Sequence, residues 1–192
     1  DPERSRLSGG DLFLPAERCY GTYEEMIRTE ATLPAHIRMD VVSIVTPNHM
    51  HFGPAMMALE HGFHVICDKP VCLNLQEALI LREKVQSSGL LFALTHTYTG
   101  YPMIKQARQM IANGELGTIR RVVVEYPQGW LSTDQESTDH KQASWRTDPE
   151  RSGAAGAMGD IGTHAANLAE YVTSLKIESI CADLHTHVAG RR

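Results

Sequence analysis

Short apolar runs alternate with longer helical patterns through the first hundred residues. Val41 to Val45 is a β-branched run that stops at Thr46-Pro47, as expected for a buried strand of a parallel sheet. The stretches HVICDKP and LLFALTH repeat this arrangement, in which polar residues follow an apolar run. The pattern predicts strands at 41–45, 64–70 and 90–96, and helices at 54–60, 74–89 and 101–112.

Local signals indicate where several helices begin and end. Thr22 and Glu25 have the spacing of a capping box, and Asn74 precedes Glu77 at the same spacing. Gly62 follows the predicted helix at 54–60, where a glycine commonly ends a helix. These signals support the helical interpretation independently of the apolar periodicity.

Strands that alternate with helices favour βαβ units around a parallel sheet. Right-handed crossovers bring the carboxyl ends of such strands to one edge, and ligands of open α/β sheets bind along that edge. Polar segments at 46–48, 68–70 and 95–98 each follow a predicted strand. We therefore expect these segments to line a ligand site.

The pattern changes after Gly117. Residues 118–128 and 176–188 alternate apolar and polar positions, which indicates antiparallel strands with one solvated face. Residues 129–152 form a polar stretch that we interpret as a long loop, and loops of that length are usually functional or disordered. We predict two domains, at 1–98 and 99–192.

The segment GDIGTHAANLAEY would form a helix with one apolar face and a second face of polar and ionisable side chains. On a helix, Asp160, His164, Asn167 and Tyr171 would form one polar stripe. A carboxylate one turn from an imidazole can orient the ring for acid–base chemistry near neutral pH. The alternative is a capping aspartate and a partly buried histidine.

Three shorter motifs also offer chemistry, and each has a plainer alternative. Pro70 keeps Lys69 extended, so D-K-P would hold a cation at the edge of the sheet where ligands bind. The alternative is a solvated lysine in a turn. T-P-N follows the strand at 41–45 and would lie at the same edge of the sheet. The alternative is the start of a helix with Asn48 as its N-cap. Trp145-Arg146 supplies a guanidinium suited to phosphate or carboxylate, or to a surface salt bridge.

Composition narrows the function classes. The formal net charge of −5 gives no electrostatic signature for nucleic acid or an anionic membrane, and no apolar run is long enough to span a bilayer. The four cysteines are scattered, which favours reduced thiols and a cytoplasmic protein. The histidine pairs at 49/51 and 185/187 lack a third ligand at a zinc spacing, so we predict no metal site.

Four motifs occur in a recognisable order: T-P-N-x-x-H at 46–51, D-K-P at 68–70, W-R at 145–146 and G-D-I-G-T-H at 159–164. Together they closely resemble the Gfo/Idh/MocA family of NAD(P)-dependent oxidoreductases. The resemblance implies an α/β protein in which a Rossmann domain with a doubly wound parallel sheet precedes an α/β domain with a large, mostly antiparallel sheet. It also implies NAD or NADP as cofactor and a homodimer or homotetramer formed through that second sheet.

The resemblance further implies hydride transfer between a CH–OH group of a sugar or cyclitol and the nicotinamide. Lys69, Asp160 and His164 would be catalytic, and the Lys69–Pro70 peptide would be cis. The implied cofactor-binding residues are Thr46, Pro47, Asn48, His51, Asp68, Lys69, Trp145 and Arg146. The implied substrate-binding residues are Lys69, Tyr98, Asp160, His164 and Asn167.

Two departures from the family pattern affect these expectations. Asn167 stands where relatives often carry an acid, which alters the polarity offered to a substrate. The first strand and its G-x-G-x-x-G turn are absent from the sequence, which we interpret as part of a longer protein whose isolated fragment need not bind cofactor. The alternatives are a cofactor-binding sensor without turnover and a metal-dependent hydrolase or isomerase.

Overall fold

The computed structural model describes residues 1–191. Its sheet contains Val41–Ile44 (β1), His64–Asp68 (β2) and Phe92–Thr95 (β3), in the order β1-β2-β3. Strands β1 and β2 are parallel, with Val41 opposite His64 and Ile44 opposite Cys67. The predicted α/β class with a parallel sheet is confirmed.

Eight α-helices are described along residues 1–191. They are Pro2–Asp11 (α1), Tyr23–Thr32 (α2), Phe52–Glu60 (α3), Leu75–Ser88 (α4), Pro102–Ala112 (α5), Lys141–Arg146 (α6), Pro149–Ser152 (α7) and Thr163–Thr173 (α8). A π-helical turn, Met158–Gly162, leads directly into α8. Within residues 1–191, no helix has the length and apolar character needed to cross a membrane.

The predicted helix signals operate as expected in the first half of the chain. Thr22 accepts a hydrogen bond from the backbone N–H of Glu25 at 3.1 Å and caps α2. Asn74 accepts one from the N–H of Glu77 at 3.0 Å and caps α4. Gly62 follows α3 with a φ of 81°, a left-handed conformation that glycine adopts without steric cost.

The core packs one face of the sheet against helices. β1 and β2 bury alternate residues, and Val41 and Ile66 remain 42% and 41% exposed. The prediction of a buried strand therefore holds for only one face of β1, whose residues Val42 and Ile44 are buried. The buried cluster comprises Ile27, Val42, Ile44, Ala55, Ala58, Leu59, Phe63, Val65, Cys67 and Leu81.

The chain divides into two compact units. The first contains residues 1–46 and 50–94, and the second contains residues 47–49 and the chain from residue 95 onward. The sheet and its core belong to the first unit, whereas α5 to α8 belong to the second. The sequence-based domain boundary after residue 98 stays a prediction.

The second unit differs from the sequence interpretation. Within residues 1–191 the structure assigns no strand to 118–128 or to 176–188, so the antiparallel sheet is not confirmed. The alternating pattern specifies two faces, but a strand also requires a hydrogen-bonded neighbour, and in the described part of the chain the sheet consists of β1 to β3. The predicted long loop contains the short helices α6 and α7, which begin at side-chain caps from His140 and Asp148.

A buried carboxylate joins three segments of the first unit. Glu30, on α2, is 2% exposed and accepts hydrogen bonds from Arg18, from the Tyr20 hydroxyl at 2.7 Å and from the Met39 N–H at 3.0 Å. Burial alone would raise the pKa of Glu30, but the hydrogen bonds from Tyr20, Met39 and Arg18 outweigh it and hold the pKa below its ordinary value of 4.5.

Replacing Glu30 by Gln is expected to lower the free energy of unfolding by about 3 kcal/mol at neutral pH, because Arg18 loses its buried partner. The lowered pKa stabilises the fold above the carboxylate's ordinary value, and this contribution is lost as the pH falls through the lowered value. Denaturant unfolding of both proteins should therefore converge in strong acid. Glu60→Gln, at an exposed position, is the control, and an equal effect of both substitutions would contradict the argument.

Candidate active site

The carboxyl ends of β1 and β2 lie side by side, because Ile44 is paired with Cys67. Asp68 ends β2, and Lys69 follows it at the expected edge of the sheet; both side chains are half-buried. The Lys69–Pro70 peptide is cis, as the resemblance implied. The cation of D-K-P is thus carried where open α/β sheets bind ligands.

His51 connects the two strand ends. Its ring is fully buried; Nδ1 lies 2.7 Å from the carbonyl oxygen of Pro70 and Nε2 lies 2.8 Å from that of Thr46. The Thr46 hydroxyl donates to the carbonyl of Met50 at 3.0 Å, closing the turn that follows β1. With its ring inaccessible, His51 can serve a cofactor only through the backbone that it holds.

Asn48 is 7% exposed, and its amide nitrogen donates to the carbonyl of Ser152 at 2.9 Å. It belongs to a short 3-10 turn, Asn48–Met50, and α3 begins only at Phe52, so the reading of Asn48 as the helix N-cap is wrong. Pro47 precedes it and is half-buried. Asn48 therefore ties the T-P-N segment to the end of α7.

In the second unit, His164 lies among aromatic rings. It is 7% exposed; its ring meets His96 edge-on at a centroid distance of 5.5 Å and lies 4.5 Å from the ring of Tyr98. Asp160 precedes it in the π-helical turn rather than in α8 itself. The predicted single helical stripe is therefore interrupted between the carboxylate and the imidazole.

Tyr98 adds a hydroxyl group to the aromatic surroundings of His164. Its oxygen lies 2.9 Å from the hydroxyl of Tyr126, and the two rings stack at 5.9 Å. The hydrogen bond to Tyr126, followed by burial, raises the pKa of Tyr98 to about 12. The phenol consequently stays protonated at neutral pH and can donate a hydrogen bond.

Arg146 holds Asp160 from a different helix. Its Nε lies 3.6 Å from a carboxylate oxygen of Asp160, and its guanidinium stacks 4.2 Å from the ring of Trp145. Arg146 and Trp145 both donate to the side-chain oxygen of Gln142. The predicted W-R motif thus occupies the same unit as Asp160 and His164, and reaches Asp160 directly.

Comparison with known proteins identifies the family to which the chain belongs. Residues 15–96 match the oxidoreductase family with an NAD-binding Rossmann fold, and residues 104–192 match the GFO/IDH/MocA C-terminal domain. The chain belongs to the GFO/IDH/MocA oxidoreductase family. Its first unit therefore carries the NAD-binding Rossmann fold of that family.

Sequence relatives agree with this family assignment. The chain is 34% identical over 192 residues to an uncharacterised oxidoreductase, YfiI, of Bacillus subtilis, covering all of this chain and 48% of that protein. It is 32% identical over 151 residues to levoglucosan dehydrogenase of Pseudarthrobacter phenanthrenivorans, covering 79% of this chain and 37% of that protein. The chain thus spans about half the length of YfiI and less of the second relative.

Solved structures of the family share the fold. An inositol dehydrogenase homologue from Azotobacter vinelandii, in complex with NAD+, superposes with a TM-score of 0.84 at 40% identity over 90% of this chain and 43% of that one. The same homologue with NADH and myo-inositol gives a TM-score of 0.79 at 38% identity, over 90% of this chain and 42% of that one. Both carry a nicotinamide cofactor.

Sequence reasoning missed Tyr126, whose hydroxyl lies 2.9 Å from that of Tyr98, and assigned no individual role to His96. His96 directly follows β3, within the polar segment 95–98 that the sequence predicts to line a ligand site, and Tyr126 lies in the segment predicted as a strand; neither belongs to one of the four motifs. Their signal is weak, because a single ring in an otherwise ordinary segment carries no spacing information. Within residues 1–191, no group of three or more His, Cys, Asp or Glu is arranged to hold a metal ion.

Proposed function

We propose that the full-length protein transfers a hydride between a CH–OH group of a sugar or cyclitol and NAD or NADP. The observation that carries this proposal is the buried imidazole of His164 beside the protonated hydroxyl of Tyr98, in a chain whose other unit is an NAD-binding Rossmann fold. A base and a hydrogen-bond donor on one surface suit the oxidation of an alcohol.

The strand ends fit a dinucleotide cofactor. β1 and β2 end in register at the edge where doubly wound sheets bind nucleotides, and Lys69 supplies a cation there. Thr46, Pro47, Asn48 and Asp68 shape this edge, and the side chains of Thr46 and Asn48 are engaged with backbone carbonyls. We propose that this edge contributes to the cofactor site, and that Trp145 and Arg146 of the second unit are also cofactor-binding residues.

Each proposed catalytic side chain has one task. A bound nicotinamide would supply the hydride acceptor for the substrate carbon. His164 takes the hydroxyl proton of the alcohol, and the ammonium of Lys69 donates a hydrogen bond to the oxygen as negative charge develops there. Asp160, held by Arg146, orients the substrate hydroxyl. The alcohol thereby loses a hydride and a proton and becomes a carbonyl.

Asn167 and Tyr98 support a polyhydroxy substrate. The side-chain oxygen of Asn167 is buried, and within residues 1–191 it has no hydrogen-bond partner. A buried acceptor without a donor costs free energy that a ligand hydroxyl can recover. The Tyr98 phenol supplies a donor in the same unit, so the two side chains together match the donor and acceptor character of sugar hydroxyl groups.

The proposal is tested by binding and turnover in the full-length protein. We expect either NAD or NADP to raise the melting temperature, since a ligand at 100 times its Kd stabilises the folded state by about 2.7 kcal/mol. We further expect at least one sugar or inositol from a panel to reduce the bound cofactor, measured by the absorbance of the reduced nicotinamide.

The outcomes separate the candidate functions. Cofactor binding without reduction by any member of the panel would contradict the dehydrogenase and favour a sensor. Turnover that requires added or bound metal would favour a metal-dependent enzyme. Assembly into a homodimer or homotetramer and a cytoplasmic location remain predictions, and light scattering of the full-length protein measures the first.

A further inference from the structure

Both ring nitrogens of His51 lie at hydrogen-bond distance from a backbone carbonyl oxygen. Its two ring nitrogens lie 2.7 and 2.8 Å from the carbonyl oxygens of Pro70 and Thr46, and the ring is fully buried. A carbonyl oxygen only accepts hydrogen bonds, whereas a neutral imidazole carries a single N–H. Both contacts can be hydrogen bonds only if both ring nitrogens are protonated.

We propose that His51 is a buried imidazolium that clamps the ends of β1 and β2 together. One N–H binds the carbonyl of Thr46, after β1, and the other binds the carbonyl of Pro70, after β2. The clamp spans two segments that are 24 residues apart in sequence (46 to 70) yet adjacent in the sheet. His51 is a positioning residue, since it acts on the backbone of the proposed cofactor edge.

The neutral form of the ring fits the geometry poorly. It would direct a nitrogen lone pair at a carbonyl lone pair at hydrogen-bond distance, and it would leave one of the two carbonyl oxygens without this donor. The charged form loses hydration on burial but gains two charge-assisted hydrogen bonds, which are roughly twice as strong as neutral ones. The two short contacts therefore favour the imidazolium.

Neighbouring charges act in both directions. His51 precedes α3, and the positive end of a helix dipole disfavours a cation. The ionisable side chains on the two clamped segments are His49, Cys67, Asp68, Lys69 and Cys72. Burial raises the pKa of Cys67 to about 12 and that of Cys72 to about 11, so both thiols stay neutral. Asp68 and Lys69 carry opposite charges, whereas the two carbonyl oxygens contact the ring nitrogens directly.

The clamp bears on the proposed chemistry through Lys69. The Pro70 carbonyl belongs to the residue that directly follows the lysine, so the clamp restrains the backbone that carries the ammonium. This consequence rests on the proposed function, whereas the protonation state of His51 does not.

Long-range proton–nitrogen correlation NMR on the ¹⁵N-labelled full-length protein tests the protonation state directly at neutral pH. The His51 ring is assigned by through-bond correlation from its own Cβ. An imidazolium gives two similar ring-nitrogen shifts, each with an attached proton, and this is the expected result. Two widely separated shifts would show a neutral ring and overturn the proposal.

Two variants test the positioning role. His51→Phe keeps an aromatic ring without donors, and we expect kcat to fall on the order of 10²-fold, as small misplacements of catalytic groups do. His51→Gln keeps one donor and should recover part of that loss. His49→Gln, at an exposed position two residues away, is the control with unchanged kcat.

The readouts separate two kinds of failure. A folded His51→Phe variant with wild-type kcat would overturn the positioning role. If either variant fails to fold, the wild-type NMR measurement still decides the protonation state. If the wild-type protein shows no dehydrogenase activity, the proposed function fails while the two ring-nitrogen shifts still confirm or refute the clamp.

Discussion

Replacing His164 by Asn is expected to lower kcat by roughly 10²- to 10⁴-fold, the usual contribution of a positioned general base. Asparagine retains a polar side chain but cannot accept the substrate proton. His164 is 7% exposed and packs against His96 and Tyr98, so bulk water has limited access to replace it as base. Steady-state kinetics of the full-length protein with the best substrate from the panel measure the effect.

The pH dependence distinguishes loss of a base from loss of structure. A general base must be unprotonated, so wild-type kcat should fall toward acid, and His164→Asn should lose this dependence. His36→Asn, at an exposed position, should behave like the wild type. Wild-type turnover in a folded His164→Asn variant would remove His164 from the mechanism.

Replacing Lys69 by Met is expected to lower kcat by roughly 10²- to 10³-fold, the typical cost of removing one donor to a developing oxyanion. Methionine keeps much of the length of the side chain while removing its charge and hydrogen bonds. The location of Lys69 after β2, beside the end of β1, supports this role, because the sheet edge fixes its backbone.

A KM-against-kcat comparison tests how Lys69 acts. If the lysine serves the transition state, kcat at saturating cofactor falls and the melting temperature still rises when cofactor is added. If it only binds cofactor, KM for the cofactor rises while kcat is unchanged, which would contradict the catalytic role. Lys105→Met, an exposed substitution on α5, is the matched control.

The fold of the first unit follows closely from local sequence signals. Side-chain caps at Thr22 and Asn74 and the left-handed Gly62 act over a few residues, so they can be predicted without knowledge of the tertiary structure. The strands β1 to β3 were predicted within a few residues of their observed bounds. Helix α1 was not predicted, since PERSRLSGGD contains two adjacent glycines and little apolar periodicity.

The second unit shows the limits of periodicity. Alternation at 118–128 suits a strand but does not supply the neighbour that a strand needs. Short helices such as α6 and α7 have too few residues for a detectable apolar stripe, and their capping side chains also suit turns. Local sequence patterns therefore predict elements that are stabilised by nearby residues. They fail where the formation of an element depends on pairing with a distant segment.

The candidate site shows the same division. The motifs containing Lys69, Asp160 and His164 were evident in the sequence, because their residue types and order match the family. The double carbonyl contact of His51 was not, since it depends on how two loops meet. Equally, the stacking of Tyr98 on Tyr126 joins residues 28 positions apart that share no motif.

The number of residues in the π-helical turn Met158–Gly162 sets the orientation of the polar side chains of α8. Such a turn is an α-helix widened by one residue; it contains Asp160 and leads directly into α8. Deleting a single residue there would swing every side chain of α8 by about 100° relative to the preceding loop. An insertion or deletion at this point would thus reorient His164 and Asn167 together, whereas a point substitution on the helix changes one side chain at a time.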